Sequence, residues 1–188
     1  MGNVYVGLLH YPVRNRQGQI VTSAITGLDV PDIARSCRTY GVSKYYVIQP
    51  LASQRQVAQR IYDYWENEER DQPHRREALQ VLKLVDTLEA SLADVFAIEG
   101  LRPLIVGTSA RKYGGQHLGY APLREKIERE ETPIFLLFGT GWGIAEEVLV
   151  RMDVVLPPIC GPGSFNHLSV RSAVAIILDR LKGNRDPA

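Results

Sequence analysis

Short apolar runs alternate along this chain with longer stretches in which apolar residues recur every three or four positions. The runs VYVGLLH (4–10), YYVIQ (45–49), LIVGT (104–108), IFLLFG (134–139) and VVLPPI (154–159) are rich in Val, Ile, Leu and Tyr, and VLKLV (81–85) is a weaker sixth. Such runs, with little polar alternation, suit strands covered on both faces, as in a parallel sheet. Between them the spacing predicts helices over 29–41, 51–69, 87–98, 121–131, 143–151 and 168–182. The first opens with Asp29 in an N-cap role, has Pro31 near its first turn and stops at Gly41, a normal helix punctuation. In the second, Val57, Ile61 and Tyr64 or Trp65 repeat at helical spacing. Strand–helix alternation predicts an α/β fold, a parallel sheet flanked by helices on both faces. The polar stretch ENEERDQPHRRE (66–77) reads as an exposed loop and the tail GNRDPA as frayed. With no internal repeat and no low-complexity linker, residues 1–188 read as one domain.

Composition adds limits. Hydrophobic residues make up 45% and charged residues 23% of the chain, ordinary for a soluble globular protein. No apolar run approaches the roughly 20 residues of a membrane span, and the N-terminus lacks the basic segment of a signal peptide. Cys37 and Cys160 form no disulfide framework and read as reduced thiols in a cytoplasm. His74 and His117 have no partner at metal-ligand spacing, so no zinc site is expected. The net charge of +1 conceals an uneven distribution. Residues 1–60 carry seven Lys or Arg against two acids, a net +5, which leaves −4 for the remainder. Seventeen of the 22 cations are arginines, the residue best matched to phosphate. A basic N-terminal third suits a polyanion partner, although no dense basic run exists and scattered solvated arginines would give the same count.

The chemistry concentrates where strands hand over to helices. In PIFLLFGTGWGIAEEVL, Gly139, Gly141 and Gly143 alternate at such a junction. A dinucleotide fingerprint is G-x-G-x-x-G in the first strand–helix turn. Here Ile144 stands where the third glycine belongs, and only 45 residues follow Gly143, so a nicotinamide-dependent oxidoreductase is disfavoured. The glycines still allow a ligand close approach to the main chain. Two further loops share this character: GTSARKYGGQ after one strand and PPICGPGSFNH after another.

GTSAR, FGTGWGI and GPGSFNHLSVRSAVAIIL, in that order, resemble the cofactor loops of the SPOUT superfamily of S-adenosylmethionine (SAM)-dependent RNA methyltransferases. The N-terminal LLHYPVRNRQGQIVTSAITGLDVPDIARSCRTYGV resembles its small bacterial branch, sometimes found beside a tRNA guanine-N1 methyltransferase. The family's arginine motif overlays DVPDIARSC, with its arginine on Arg35, its threonine on Ser36, and Asp29 and Pro31 in place of asparagine and glycine. Gly141 stands where a glutamate is common, and Ser169 takes an asparagine's place in LSVRSA, with Asn166 three residues earlier.

The resemblance implies a C-terminal trefoil knot, a homodimer, SAM as cofactor and tRNA or rRNA as substrate, methylated on a base nitrogen or ribose oxygen. It implies a cofactor site from Thr108, Phe138, Gly139, Thr140, Gly143, Leu156, Pro158, Ile159, Gly161, Asn166 and Leu168. Arg35, Asn166 and Ser169 are the implied catalytic residues. Substrate contacts are expected from His10, Arg14, Arg16 and Arg38, the first three in the unusual segment HYPVRNRQGQIVTSAITG, where Pro12 interrupts the strand and Arg14, Asn15 and Arg16 follow in a loop. Trp142 would wall the pocket or simply pack, Arg35 would hold RNA phosphate or pair with Asp32, His10 could serve as a general base or be structural, and His167, nearer the expected cofactor, could have a role beyond packing. The missing asparagine and glutamate leave a second reading open: a SAM- or RNA-binding module without turnover.

Overall fold

Val4–Leu9 (β1) forms the middle of a six-stranded sheet with Lys44–Ile48 (β4), Leu82–Val85 (β5), Leu104–Gly107 (β6), Ile134–Gly139 (β7) and Val154–Val155 (β8). The strand order is β5-β4-β1-β7-β6-β8, and every pairing is parallel. The computed structural model describes residues 1–67 and 73–184. Alternate strand residues feed two separate cores. Val4, Val6 and Leu8 of β1, Tyr45 and Val47 of β4, and Ile134, Leu136 and Phe138 of β7 pack on one side; Tyr5, Leu9, Tyr46, Ile48, Phe135 and Leu137 pack on the other. Both faces must therefore be covered, which accounts for the continuous apolar runs.

On the first face lie Asp29–Thr39 (α1), Ala52–Asn67 (α2), Pro73–Leu79 (α3), Tyr120–Arg129 (α5) and Val170–Lys182 (α7); on the second lie Leu88–Glu99 (α4) and Glu146–Leu149 (α6). After β1 the chain leads to α1 on one face, and after the adjacent β7 to α6 on the opposite face. Such a divergence opens a crevice at the carboxyl ends of the two strands, the usual ligand position in a parallel α/β sheet.

Several boundaries differ from the sequence reading. Residues 66–77 are not simply a loop: α2 reaches Asn67, and Pro73 opens α3, which buries Ala78 and Leu79. Arg76 pairs with Glu66 across the two helices, so mixed charge here marks a solvated helix surface. Residues 68–72, and 185–188 of the supposedly frayed tail, lie outside the described residues. Asp29 is not the N-cap but the first helical residue, after Leu28; Thr26 Oγ1 accepts its N–H at 3.2 Å and donates to its carboxylate at 2.7 Å. β8 is only two residues long because Pro157 and Pro158 supply no N–H for further pairing. The segment after His10 is not all loop. Val13–Arg14 (β2) and Ile20–Val21 (β3) form an antiparallel hairpin, whose turn is fastened by Asn15 Oδ1 accepting from the N–H groups of Gln17 and Gln19.

Candidate functional site

The loop after β7 is shaped by contacts that only glycine permits. A Cβ on Gly139 would lie 2.7 Å from both the amide nitrogen and Cγ1 of Ile144. Gly143 has φ +104°, and space is open where its side chain would be. The helix expected from 143 consequently begins only at Glu146. Trp142, at the loop tip, is half exposed. The β2–β3 hairpin is fastened directly to this loop. Arg14 N–H donates to Gly143 O at 2.9 Å, Trp142 N–H to Arg14 O at 3.0 Å, and Ala145 N–H to Pro12 O at 3.2 Å. Arg14 and Arg16, the expected RNA contacts, are thus carried beside the expected cofactor loop.

Beneath the hairpin runs a chain of side-chain hydrogen bonds. The Thr140 hydroxyl donates to Leu9 O at 3.0 Å and therefore accepts from the Ser23 hydroxyl, which bonds it. Ser23 in turn accepts from His10 Nδ1–H at 2.9 Å, which leaves His10 Nε2 as the bare nitrogen. Gln49 Nε2 holds the Ser23 carbonyl at 2.9 Å. His10 is 1% exposed, so the residue expected to face substrate is instead inside, orienting the loop through Ser23. Ser23 lies within the unusual segment that follows His10, but nothing in the sequence marked its hydroxyl as the link to Thr140.

Burial lowers the His10 pKa from 6.5 to about 4, against smaller upward pulls from Asp29 and Ser23. Between those values the unfolded chain takes up a proton that the folded chain does not. His10 therefore contributes stability that is complete above about pH 6.5 and is lost as pH falls toward about 4, a difference of about 3 kcal/mol. Urea denaturation at pH 7 and pH 5 tests this: the wild type should lose stability between the two, and His10→Gln should show a flatter profile.

The other two loops follow the neighbouring strands β6 and β8 at the same carboxyl edge. Thr108 ties β6 to β7, its N–H and hydroxyl both donating to Leu137 O at 3.1 and 2.9 Å. Leu156 N–H donates to Gly107 O at 3.0 Å and Tyr120 OH to Pro157 O at 3.2 Å. Among the described residues, 158–168 then make no backbone–backbone hydrogen bond. Pro158 and Ile159 are half-buried, while Gly161 and Leu168 are exposed. Asn166 Nδ2 donates to Ala110 O at 2.7 Å, joining the loop after β8 to the loop after β6. Ser169 is the N-cap of α7, its Oγ accepting from Ser172 N–H at 3.3 Å. The His167 ring stands edge-on to Phe165 at 5.4 Å. Phe138 and Leu156 have their side chains in the core, so only their main chains are available to a ligand.

These residues fit SAM. Its adenine edge needs main-chain donors and acceptors, which 158–168 leave free, and the open ground at Gly143 admits a ligand against the β7 loop. Trp142 on the loop after β7, and Phe165 and Leu168 on the loop after β8, are exposed apolar side chains available to such a ligand. Among the described residues no group of His, Cys, Asp or Glu is arranged to hold a metal ion.

Arg35 and Arg38 belong to a different surface. Arg38 donates to Glu77 Oε1 through Nε and Nη2 at 3.2 and 2.8 Å. Arg35 is exposed and, among the described residues, its guanidinium has no partner; Asp32 instead lies 3.6 Å from Arg171. Arg171 Nη1 also donates to buried Asp29 at 2.7 Å, tying α7, and with it the loop after β8, to α1. Arg171 lies inside the LSVRSA motif, but its partner 142 residues away could not be read from spacing.

Loops at the carboxyl edge of a parallel sheet are where nucleotide-type ligands usually bind in α/β proteins. The model of a SAM-dependent RNA methyltransferase family matches residues 3–183, and the chain belongs to that family. The expected SAM-dependent RNA methyltransferase family, with SAM as its cofactor, is thereby borne out. An uncharacterised protein of Aquifex aeolicus is 44% identical over 181 residues, spanning 95% of this chain and 88% of its own length. A tRNA (guanine-N(1)-)-methyltransferase of Nitratidesulfovibrio vulgaris is 40% identical over 184 residues, 97% of this chain, but the chain spans only 42% of that relative. The crystal structure of TrmJ from Z. mobilis shares the fold, with a TM-score of 0.61, 16% identity and coverage of 100% of this chain and 72% of that one.

Proposed function

We propose that the loops after β6, β7 and β8 bind SAM and that the chain transfers its methyl group to a nitrogen or ribose oxygen of a tRNA or rRNA. The observation that carries this reading is that the three loops follow the carboxyl ends of the adjacent strands β7, β6 and β8, with the main chain of 158–168 making no backbone–backbone hydrogen bond among the described residues and open space at Gly143. When bound, SAM supplies an already activated methyl, so the protein's main task is positioning. In this reading 156–159 and Leu168 take the adenine edge, and Thr108, Gly139, Thr140 and Gly143 flank the ribose and methionine portions. Gly161 lets the main chain approach, and Asn166 keeps the loop after β8 against the loop after β6. Ser169 caps the helix behind the pocket, while Arg14, Arg16 and Arg35 meet RNA phosphate. The resemblance supports a homodimer with a knotted C-terminal segment, acting as one domain in the cytoplasm. The relatives named tRNA methyltransferases support tRNA as the first substrate to try. Their guanine-N1 activity is not carried over, because this chain spans less than half of them.

Calorimetric titration with SAM, S-adenosylhomocysteine and NAD should show micromolar binding of the first two alone; binding of NAD alone would overturn the pocket assignment. Transfer of labelled methyl to total tRNA or rRNA then separates the enzyme from a binding module, which would bind SAM but transfer nothing.

A further inference from the structure

α2 and the turn before α1 frame an open groove of about 340 Å³, distinct from the three loops and lined by Gly27, Val57, Arg60, Ile61, Tyr64 and Trp65. The α2 stripe is wider than the core beneath it. Ile61 and Trp65 pack against the core, whereas Val57 is 39% and Tyr64 57% exposed. The aromatic wall is held in place. Arg75 lies 4.2 Å over the Trp65 ring, and Tyr64 meets that ring edge-on at 5.0 Å and 81°. Across the groove, a Cβ at Gly27 would meet nothing within 4 Å, so the facing side is unobstructed.

The charge around this groove selects its occupant. Arg60 is the one ionisable cation in the lining, no acid accompanies it, and it has no ion-pair partner among the described residues. Of the seven cations in residues 1–60, Arg38 is paired with Glu77, Lys44 with Asp94, and Arg55 donates to the carbonyls of Gln49 and Pro50. Arg14, Arg16, Arg35 and Arg60 remain unpaired among the described residues. Four of the segment's seven cations are thus guanidiniums with free donors. An apolar protein segment would have no use for them. An unpaired nucleotide would: its base has a flat face for aromatic stacking and its phosphate accepts from arginine.

The geometry points to this groove as a second RNA contact, in which an unstacked base of the substrate RNA lies on the exposed Tyr64 ring, Trp65 walls it from the side and Arg60 meets the adjoining phosphate. This rests on RNA being the substrate. The test is fluorescence anisotropy at low salt with unfractionated tRNA and a short single-stranded oligoribonucleotide of mixed sequence. Tyr64→Ala should bind about 10-fold more weakly, and Tyr64→Phe should retain affinity. Arg60→Ala should bind about threefold more weakly and lower the salt slope by about one. All three should keep the wild-type melting temperature and SAM affinity. Wild-type RNA affinity in both Tyr64→Ala and Arg60→Ala would overturn the groove assignment alone. No RNA binding by the wild type would overturn the RNA reading and this contact with it. A changed sedimentation state in Tyr64→Ala, with RNA affinity intact, would assign the groove to a protein contact and also overturn the inference.

Discussion

A Gly139→Val variant is expected to lose SAM affinity by about tenfold or more and methyl transfer by on the order of 100-fold, a loss typical of a reacting group displaced by about 1 Å. The cause lies within the protein. A Cβ at this position would sit 2.7 Å from the Ile144 amide nitrogen and Cγ1, and 3.1 Å from the Gly143 carbonyl carbon. Two of those three atoms are main chain, so trimming Ile144 does not make room. The loop 140–144 must move, and with it the hairpin contacts at Arg14. Gly139→Ala should therefore be nearly as damaging as Gly139→Val, with an overpacking cost of about 1–3 kcal/mol in stability. Calorimetry with SAM alongside thermal melting checks both effects. A folded Gly139→Val protein with undiminished SAM affinity would show that this loop is not part of the pocket.

Arg171→Ala should lower unfolding stability by about 2–3 kcal/mol, less than the loss for a fully buried pair because the arginine retains some solvent contact. Asp29 has a side chain only 9% exposed and receives Arg171 Nη1 at 2.7 Å, while the Arg171 side chain is 32% exposed. Without the guanidinium, the Asp29 carboxylate keeps the Thr26 hydroxyl as its side-chain donor and remains a buried charge. Adding Asp29→Asn to Arg171→Ala removes that charge and should restore most of the loss. Denaturant melts of the two single variants and the double variant measure the coupling. Additive losses would show that the two side chains do not act as a pair.

What could be read from the chain follows from where the stabilising contacts lie. β1, β4 and β7 are buried on both faces, so their apolar runs announce them. The hairpin strands are two residues each and owe their form to the Gly143 loop as well as to Asn15, which no periodicity reveals. α3 was hidden because its charges suggested solvent, although Ala78 and Leu79 reach the core. In the site, the glycines reveal the three loops directly, since their spacing reflects local main-chain geometry. The residues that aim those loops do not show in the same way. Ser23 reaches Thr140 across 117 positions, and Arg171 reaches Asp29 across 142. His10 was visible, but its role depended on burial, which a lone histidine at a strand end does not disclose.

The hairpin that carries Arg14 and Arg16 is tied to the glycine loop: two main-chain hydrogen bonds join it to Trp142 and Gly143, and Ser23 beyond it bonds Thr140. If the glycine loop takes the methyl donor and the arm takes RNA, as proposed, a donor that stills the loop would also still the arm, and RNA gripping the arm would still the loop. Whichever ligand arrived first would then remove motion the second would otherwise have to quench. Linkage then requires each to raise the other's affinity by the same factor, so the order of binding can change while the strength of their cooperation cannot.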